Sequence, residues 1–255
     1  MKLSVVIPSY NELANLRKGT LEKVEHYLEK QKYSYEVIVV DDGSTDGSLE
    51  FVKRFIKGNS KFKLLENSHT GKAGAVTAGM LKASGDYALF TDMDQATPID
   101  EVETLLSFTQ HTMPAGKQGF DVVIGSRKKT RTGAPWTRKI MGTGMIVLRT
   151  MVVGLSNIED TQCGFKLFSK HAASSVFGKI RKVHGEFKHI GRSSVSAGFD
   201  VELLYIATQE GFRIKEVPVD WLYVETRRVS PIKDSVDALF DLLRIRRNII
   251  KKVYS

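Results

Sequence analysis

Asp92 and Asp94, one residue apart, follow the apolar run Asp86–Thr91 (DYALFT) of a 255-residue chain. Two carboxylates at that spacing, offering only oxygen, suit a hard divalent ion such as Mg2+ or Mn2+. Such an ion would bridge a diphosphate and stabilise it as a leaving group. Two other polar clusters close apolar runs: Pro8-Ser9-Tyr10-Asn11-Glu12 and Asp41-Asp42-Gly43-Ser44. Asp42 has two readings: an Asx-turn residue beside Gly43 and Ser44, or an acceptor for the N–H of a base such as uracil. Taken alone, an Asp-x-Asp triplet is more readily a solvated turn than a metal site. Its placement with two companions gives it weight, because ligands of a parallel α/β sheet bind at the carboxyl ends of the strands. Carboxylates gathered there repel one another unless a cation or hydrogen-bond donors compensate.

The elements that must position these clusters alternate in kind. Leu3–Pro8 (LSVVIP) and Tyr35–Val40 (YEVIVV) are compact apolar runs of buried-strand length, and Phe62–Glu66, Asp86–Thr91 and Phe120–Gly125 continue the series. Between them lie helical spacings. The first runs through Leu13, Leu16, Leu21, Val24 and Leu28; the second through Leu49, Val52, Phe55 and Ile56, behind a cap at Asp46 or Ser44. The small-residue stretch Gly71–Ala83 and the segment Asp100–Thr109 after Pro98 complete the set. Strands alternating with helices predict βαβ units, a mostly parallel sheet and right-handed crossovers. The second half is less regular. Thr137–Leu155 reads as helical, Gly164–Ser169 as extended, Asp200–Gln209 as helical, and Ile214–Val219 as a strand leading to Trp221. With no repeat or Pro/Ser-rich linker, residues 1–229 read as one α/β domain and residues 230–255 as a basic amphipathic helix.

Hydrophobic content of 42% and charged content of 26% are ordinary for a globular chain. The net charge of +9, with a pI near 9.5, suits an anionic partner: nucleotide, nucleic acid or anionic membrane. General solubility is the bland alternative. A basic, non-catalytic nucleic-acid-binding protein is the rival reading, but no helix-turn-helix, zinc-ligand or RNP-type motif supports it, so no nucleic-acid partner is expected. The single cysteine, Cys163, allows no intrachain disulfide and fits a reducing, cytoplasmic setting. The most apolar window, Ile140–Leu155, is broken by Arg149 and three glycines, so no membrane span is expected. In the tail, Val236, Leu239, Phe240, Leu242, Leu243, Ile245, Ile249 and Ile250 recur at helical spacing among Arg244, Arg246, Arg247, Lys251 and Lys252. That pattern fits an interfacial helix on the anionic cytoplasmic face of a membrane. A helix packed on the domain with a solvated basic face is the other reading.

Five early motifs, V-V-I-P-S-Y-N-E, V-V-D-D-G-S-T-D-G-S, G-K-A-G-A-V, T-D-M-D-Q-A-T-P and V-I-G-S-R, resemble those of the family 2 inverting glycosyltransferases, which have the GT-A fold. Later segments, D-T-Q-C-G-F-K-L-F, F-D-V-E-L-L, E-V-P-V-D-W and S-P-I-K-D-S-V-D-A-L-F-D-L-L-R-I-R, are similar to the branch with dolichyl-phosphate β-glucosyltransferase and, more distantly, dolichyl-phosphate mannose synthase. The resemblance implies a nucleotide-sugar donor bound by residues 1–127 and an acceptor half over 128–229. Pro8, Tyr10, Glu12 and Asp42 would line the nucleoside pocket. Asp92, Asp94 and Gln95 would hold metal and diphosphate, with the Met93 backbone nearby and Lys72 adding positive charge. Arg127, Arg138 and Arg228 match positions that handle an acceptor phosphate, for which the planar guanidinium fork is suited.

The acceptor sets the chemistry required. A hydroxyl needs a general base near the line of attack, and Asp160 in the D-T-Q-C-G-F-K segment is the candidate, with capping or pairing as its structural alternative. A polyprenyl phosphate is already anionic and needs cations instead, which the cluster Arg127, Lys128, Lys129, Arg131, Arg138 and Lys139 offers. The reading is therefore metal-dependent transfer of a hexose to a polyprenyl or dolichyl phosphate, UDP-glucose being the favoured donor and GDP-mannose the second. A family 2 enzyme with a sugar hydroxyl acceptor is the alternative. Eukaryotic relatives carry an N-terminal membrane anchor and some bacterial ones C-terminal membrane helices; neither is expected from these residues, so the lipid would be reached peripherally or presented by a separate membrane partner. Val183–Val195 reads as a polar insertion, and His184 and His189 within it are weak candidates for metal.

Overall fold

The computed structural model describes residues 1–114, 117–127, 146, 148–185, 197–222 and 231–254. The apolar runs form strands β1 (Lys2–Ser9), β2 (Ser34–Asp41), β3 (Phe62–Glu66), β4 (Tyr87–Thr91) and β5 (Val122–Ser126). Strands β6 (Phe165–Ser169) and β7 (Ile214–Pro218) come from the second half. Together they build one sheet in the order β3-β2-β1-β4-β6-β5-β7. All neighbours are parallel except at β6, which runs antiparallel to both β4 and β5. The chain winds outward from β1 through β2 to β3, then returns to place β4 on the other side of β1. That reversal opens a crevice at the carboxyl ends of β1 and β4, where such sheets take their ligands.

Helices α1 (Leu13–Leu16), α2 (Thr20–Glu29), α3 (Ser48–Phe55), α4 (Gly71–Lys82), α5 (Val102–Leu106), α6 (Lys170–Val183), α7 (Ala197–Gln209) and α8 (Pro231–Ile250) accompany the sheet. Successive strand residues point to opposite faces, and both faces are covered. Val5, Ile7, Val37, Val39 and Leu89 pack with Leu16, Val24, Val52 and Leu105; Val6, Ile38, Val40, Phe90 and Phe168 pack with Val76, Phe177, Leu204 and Ile245. This explains the unbroken apolar runs, since an alternating pattern would leave polar groups in one of two cores. Full burial of each such side chain contributes about 1.5–3 kcal/mol.

Several boundaries differ from expectation for local reasons. The spacing Leu13–Leu28 yields two helices, because Gly19, at a left-handed φ of 77°, separates them. Asp100–Thr109 gives only a 3-10 turn, Ile99–Glu101, and the short α5. There the Ser107 and Thr109 hydroxyls donate back to the carbonyls of Thr104 and Leu106, competing with continuation of the helix. Helix α6 has no counterpart among the expected elements. Ser169 caps it, accepting from Ala172 N at 3.3 Å, and Arg181 and Lys182 complement its last turn. Of the expected helix Thr137–Leu155, residues 148–153 are helical, while 137–145 and 147 lie outside the described residues, as do 186–195 of the polar insertion. The tail is helical as expected, with Leu242 and Ile245 buried in the core. Among the described residues no helix is long and apolar enough to cross a membrane.

Candidate active site

The loops leaving β1 and β2 are laced together by side chains. Asn11, at φ 54°, accepts from Thr45 N through its Oδ1 at 2.8 Å, and its own N–H donates to Ser44 Oγ at 3.0 Å. Glu12 N donates to Ser48 Oγ, and Leu13 N donates to Asp46 Oδ2, so Asp46 ties the start of α1 to that of α3. The Asx turn at this corner belongs to Asp41, whose Oδ2 accepts from Gly43 N and Ser44 N, and not to Asp42. Asp42 instead reaches the amino end of α4. Its Oδ1 accepts from Thr70 N at 2.8 Å and Thr70 Oγ1 at 3.1 Å, and its Oδ2 from Gly71 N at 2.8 Å. With 2% exposure it is a buried anion on a helix N-terminus, where the unpaired N–H groups and the helix dipole favour negative charge. His69, one residue before Thr70, stacks on Tyr10 with ring centroids 4.4 Å apart.

Asp42 thereby fixes the residue that follows Gly71, namely Lys72, which forms an ion pair with Asp92 across the crevice. Burial works against the Lys72 ammonium, but Asp92, then Asp200 and Asp94, outweigh it and hold its pKa above the usual value. Along Asp92-Met93-Asp94 the middle side chain is buried in the core at 2% exposure, and the flanking carboxylates are left only partly buried. Asp94 accepts from Ala96 N at 3.0 Å; burial, with the Asp92 charge adding to it, raises its pKa. Gln95 sits at φ 49° and donates to Asp92 O at 2.9 Å, while its Oε1 is buried with no hydrogen-bond partner among the described residues. Asp92 also lies directly over Gly164. A Cβ there would stand 2.1 Å from Asp92 Oδ2, so any side chain at that point of the β6 approach would displace the Asp92 carboxylate.

On the other side of β6, Arg127 leaves the carboxyl end of β5. Asp160 grips it with both oxygens, accepting from the backbone N at 3.0 Å, Nε at 2.8 Å and Nη2 at 2.7 Å. The guanidinium lies 5.8 Å from the Trp221 ring. The chain leaving β7 is tied to the Asp92 loop by the bond from Leu222 N to Ala96 O at 2.7 Å. Between the two strand ends, Lys166 on β6 is fully buried, bonded to Cys163 O and paired with Asp200 at the start of α7. Its ammonium lies 5.1 Å from the centroid of the Phe90 ring. The crevice therefore interleaves acids and bases: the Asp94 and Asp92 pair faces Lys72, and Lys166 pairs with Asp200, with Arg127 and Asp160 beyond.

The sequence profile of glycosyl transferase family 2 matches residues 4–177. The chain belongs to that family. Among its relatives, a dolichyl-phosphate beta-glucosyltransferase of Trichomonas vaginalis is 34% identical over 253 residues, covering 95% of this chain and 72% of the relative. The Saccharomyces cerevisiae dolichyl-phosphate beta-glucosyltransferase is 32% identical over 272 residues, covering 99% and 76%. Among solved structures, mannosyl-3-phosphoglycerate synthase from Rubrobacter xylanophilus superposes with a TM-score of 0.62 at 14% identity, covering 98% of this chain and 75% of that one. The shared fold is GT-A, and the chain is a glycosyltransferase.

In this family 2 enzyme the structure brings Tyr10, Asp42, Lys72, Asp92, Asp94 and Gln95 to one crevice, as the strand-end argument requires. Pro8 lies half-buried within β1, and Glu12 opens α1, accepting from Asn15 Nδ2 at 2.6 Å. Asp160 and Arg127, expected in separate roles, are joined as a bidentate pair. Arg138, Arg228, Lys128, Lys129, Arg131, Lys139 and His189 lie outside the described residues. His184 is bonded to the buried Glu202 at 2.7 Å, on the far side of α7 from Asp200. Among the described residues no three His, Cys, Asp or Glu side chains converge as a metal cage. Sequence reasoning missed Thr70, Gly164 and Lys166. Lys166 carried a signal: a lysine inside the apolar strand F-K-L-F must find a buried partner.

Proposed function

We propose that this glycosyltransferase moves a hexose, with inversion, from a nucleotide-sugar to dolichyl phosphate or another polyprenyl phosphate, with UDP-glucose as first donor and GDP-mannose second. The observation that carries the proposal is the 34% identity, over 95% of the chain, to a dolichyl-phosphate beta-glucosyltransferase. The donor set at the end of β4 fits a divalent cation, Mg2+ or Mn2+. Asp92 and Asp94 offer carboxylate oxygens only, burial and the Asp92 charge disfavour the ionised form of Asp94, a penalty that a cation would relieve, and diphosphate oxygens and water would complete the shell. When bound there, the ion would neutralise the developing charge of the leaving diphosphate.

The protein's own groups do the remainder. Asp42 holds the amino end of α4, which aims the Lys72 ammonium at the diphosphate side of the crevice. Arg127, fixed by Asp160, receives the acceptor phosphate. An acceptor oxygen attacks the anomeric carbon as its bond to the donor phosphate oxygen breaks, and the nucleoside diphosphate leaves with the electron pair. The attacking phosphate is an anion already, so no proton need be removed, and Asp160 serves as an anchor rather than a base. Lys72 and Arg127 offset the repulsion between two anionic reactants. Helix α8 supports contact with an anionic leaflet at the cytoplasmic face. Opposite the buried Leu242 and Ile245 it exposes Val236, Leu239, Phe240, Leu243 and Ile250, with Arg246, Arg247 and Lys251 beside them.

The test offers labelled UDP-glucose or GDP-mannose with polyprenyl phosphate or with sugar acceptors, each with and without a chelator. Chelator-sensitive label in the lipid from UDP-glucose is the expected result. Label that enters only the sugar acceptors would overturn the proposal.

A further inference from the structure

We propose that Arg149 and Glu216 are positioning residues for the acceptor site, acting through Asp160 on Arg127. The segment 158–161 that carries Asp160 belongs to no helix or strand. It is nevertheless held from both sides. On one side the Arg149 guanidinium, 4% exposed, donates through Nη1 to Glu159 O at 3.3 Å and Thr161 Oγ1 at 3.2 Å, and through Nη2 to Ile158 O. On the other, the Glu216 carboxylate on β7 accepts from Glu159 N at 2.8 Å and Asp160 N at 2.9 Å. One charged group takes the carbonyls of the turn and the other takes its amides.

Desolvating charged groups to hold a turn is costly. The Arg149 Nε is buried with no hydrogen-bond partner among the described residues, so this guanidinium is not satisfied even where it sits. What the arrangement secures is direction. With the 158–161 backbone fixed, both Asp160 oxygens face Arg127; two bonds, to Nε and Nη2, set the guanidinium plane beside the Trp221 ring, and a third holds the Arg127 backbone N. A planar fork binds phosphate well only when its plane is set in advance, and small misplacements of a positioning group carry large rate penalties. The assignment rests on the reading of Arg127 as the acceptor-phosphate group, and the experiment separates the two.

The full chain is assayed with polyprenyl phosphate in anionic vesicles, varying donor and acceptor in turn, for wild type, Glu216→Gln, Arg149→Met and Arg149→Lys. Glu216→Gln keeps the shape but can accept from only one of the two amides. Its acceptor KM should rise about tenfold or more, the scale of one charge-assisted hydrogen bond, with donor KM and donor-induced melting shift unchanged. Arg149→Lys should fall between wild type and Arg149→Met. A fall in kcat at constant acceptor KM, or no change at all, would overturn the assignment. A second readout needs no turnover. The chain has two tryptophans, so a Trp136→Phe background isolates Trp221, whose emission should shift alike in Glu216→Gln and Arg127→Leu. If wild type glycosylates no polyprenyl phosphate, the proposed reaction falls, and the emission still decides: a matching shift sustains the clamp, and unchanged emission in Glu216→Gln overturns it.

Discussion

Replacing Asp42 by asparagine tests whether this carboxylate anchors a helix or serves only a ligand. It accepts three hydrogen bonds at the amino end of α4, from Thr70 N, Thr70 Oγ1 and Gly71 N. Asparagine retains one acceptor oxygen and turns an amide donor toward N–H groups, so either the Thr70 or the Gly71 side is lost. A hydrogen bond to a charged group contributes about 1.5–3 kcal/mol. Loss of the anion from the N-terminus of a helix adds about 0.3–1 kcal/mol. The sum is a destabilisation of about 2–4 kcal/mol in urea unfolding at neutral pH, a large fraction of a typical domain's stability. Because Lys72 follows Gly71, affinity for the nucleotide-sugar should fall in the same variant, measured at a urea-free temperature where the fold persists. If stability changes by less than about 0.5 kcal/mol, the range of an ordinary surface substitution, while donor binding vanishes, Asp42 is a nucleoside ligand and the anchor argument is refuted.

Lys166→Met should destabilise the enzyme by about 3–5 kcal/mol, because it strands Asp200 and the Cys163 carbonyl beside the core. Adding Asp200→Leu should recover part of that loss, as a double-mutant cycle in urea would show. Glu36 is buried at 3% exposure; burial alone would raise its pKa, but Lys63, Ser84 and Ser4 outweigh it and hold the carboxyl well below the usual range. A depressed carboxylate stabilises the fold above its unfolded pKa and loses that contribution as pH falls. The stability gap between wild type and Glu36→Gln should therefore be widest at neutral pH, begin to shrink below about pH 5 and go on shrinking to the lowest pH at which the fold survives. Phe240→Glu with Leu243→Glu, at positions 64% and 50% exposed, should leave the unfolding midpoint unchanged and weaken sedimentation with anionic vesicles at least about tenfold.

The first half of the fold is legible because burial on both faces leaves a plain mark. LSVVIP, YEVIVV and DYALFT are apolar without alternation, and their polar exits fall at one sheet edge once the crossovers are right-handed. Direction leaves no such mark. Nothing in F-K-L-F says that β6 runs antiparallel, yet that reversal brings Gly164 against Asp92 and places Lys166 between the two strand ends. Helix α6 was hidden because its segment, K-H-A-A-S-S-V-F-G-K-I-R-K-V, is half polar, and its clearest signal is a single capping serine. Among the site residues, Asp92 and Asp94 announce themselves by spacing. The partners of Asp42 and Asp160 are 28 and 33 residues away in the chain, a separation that no local pattern encodes.

Inverting transfer onto a phosphate oxygen can be read from the structure of the lipid product. UDP-glucose, a short polyprenyl phosphate and Mg2+ are incubated with the enzyme, and the lipid product is read by 31P and 1H NMR. A phosphodiester resonance and a β-anomeric glucose, formed from the α-linked donor, are the expected result. A product that keeps its phosphate monoester, or that carries an α-linked sugar, would contradict it.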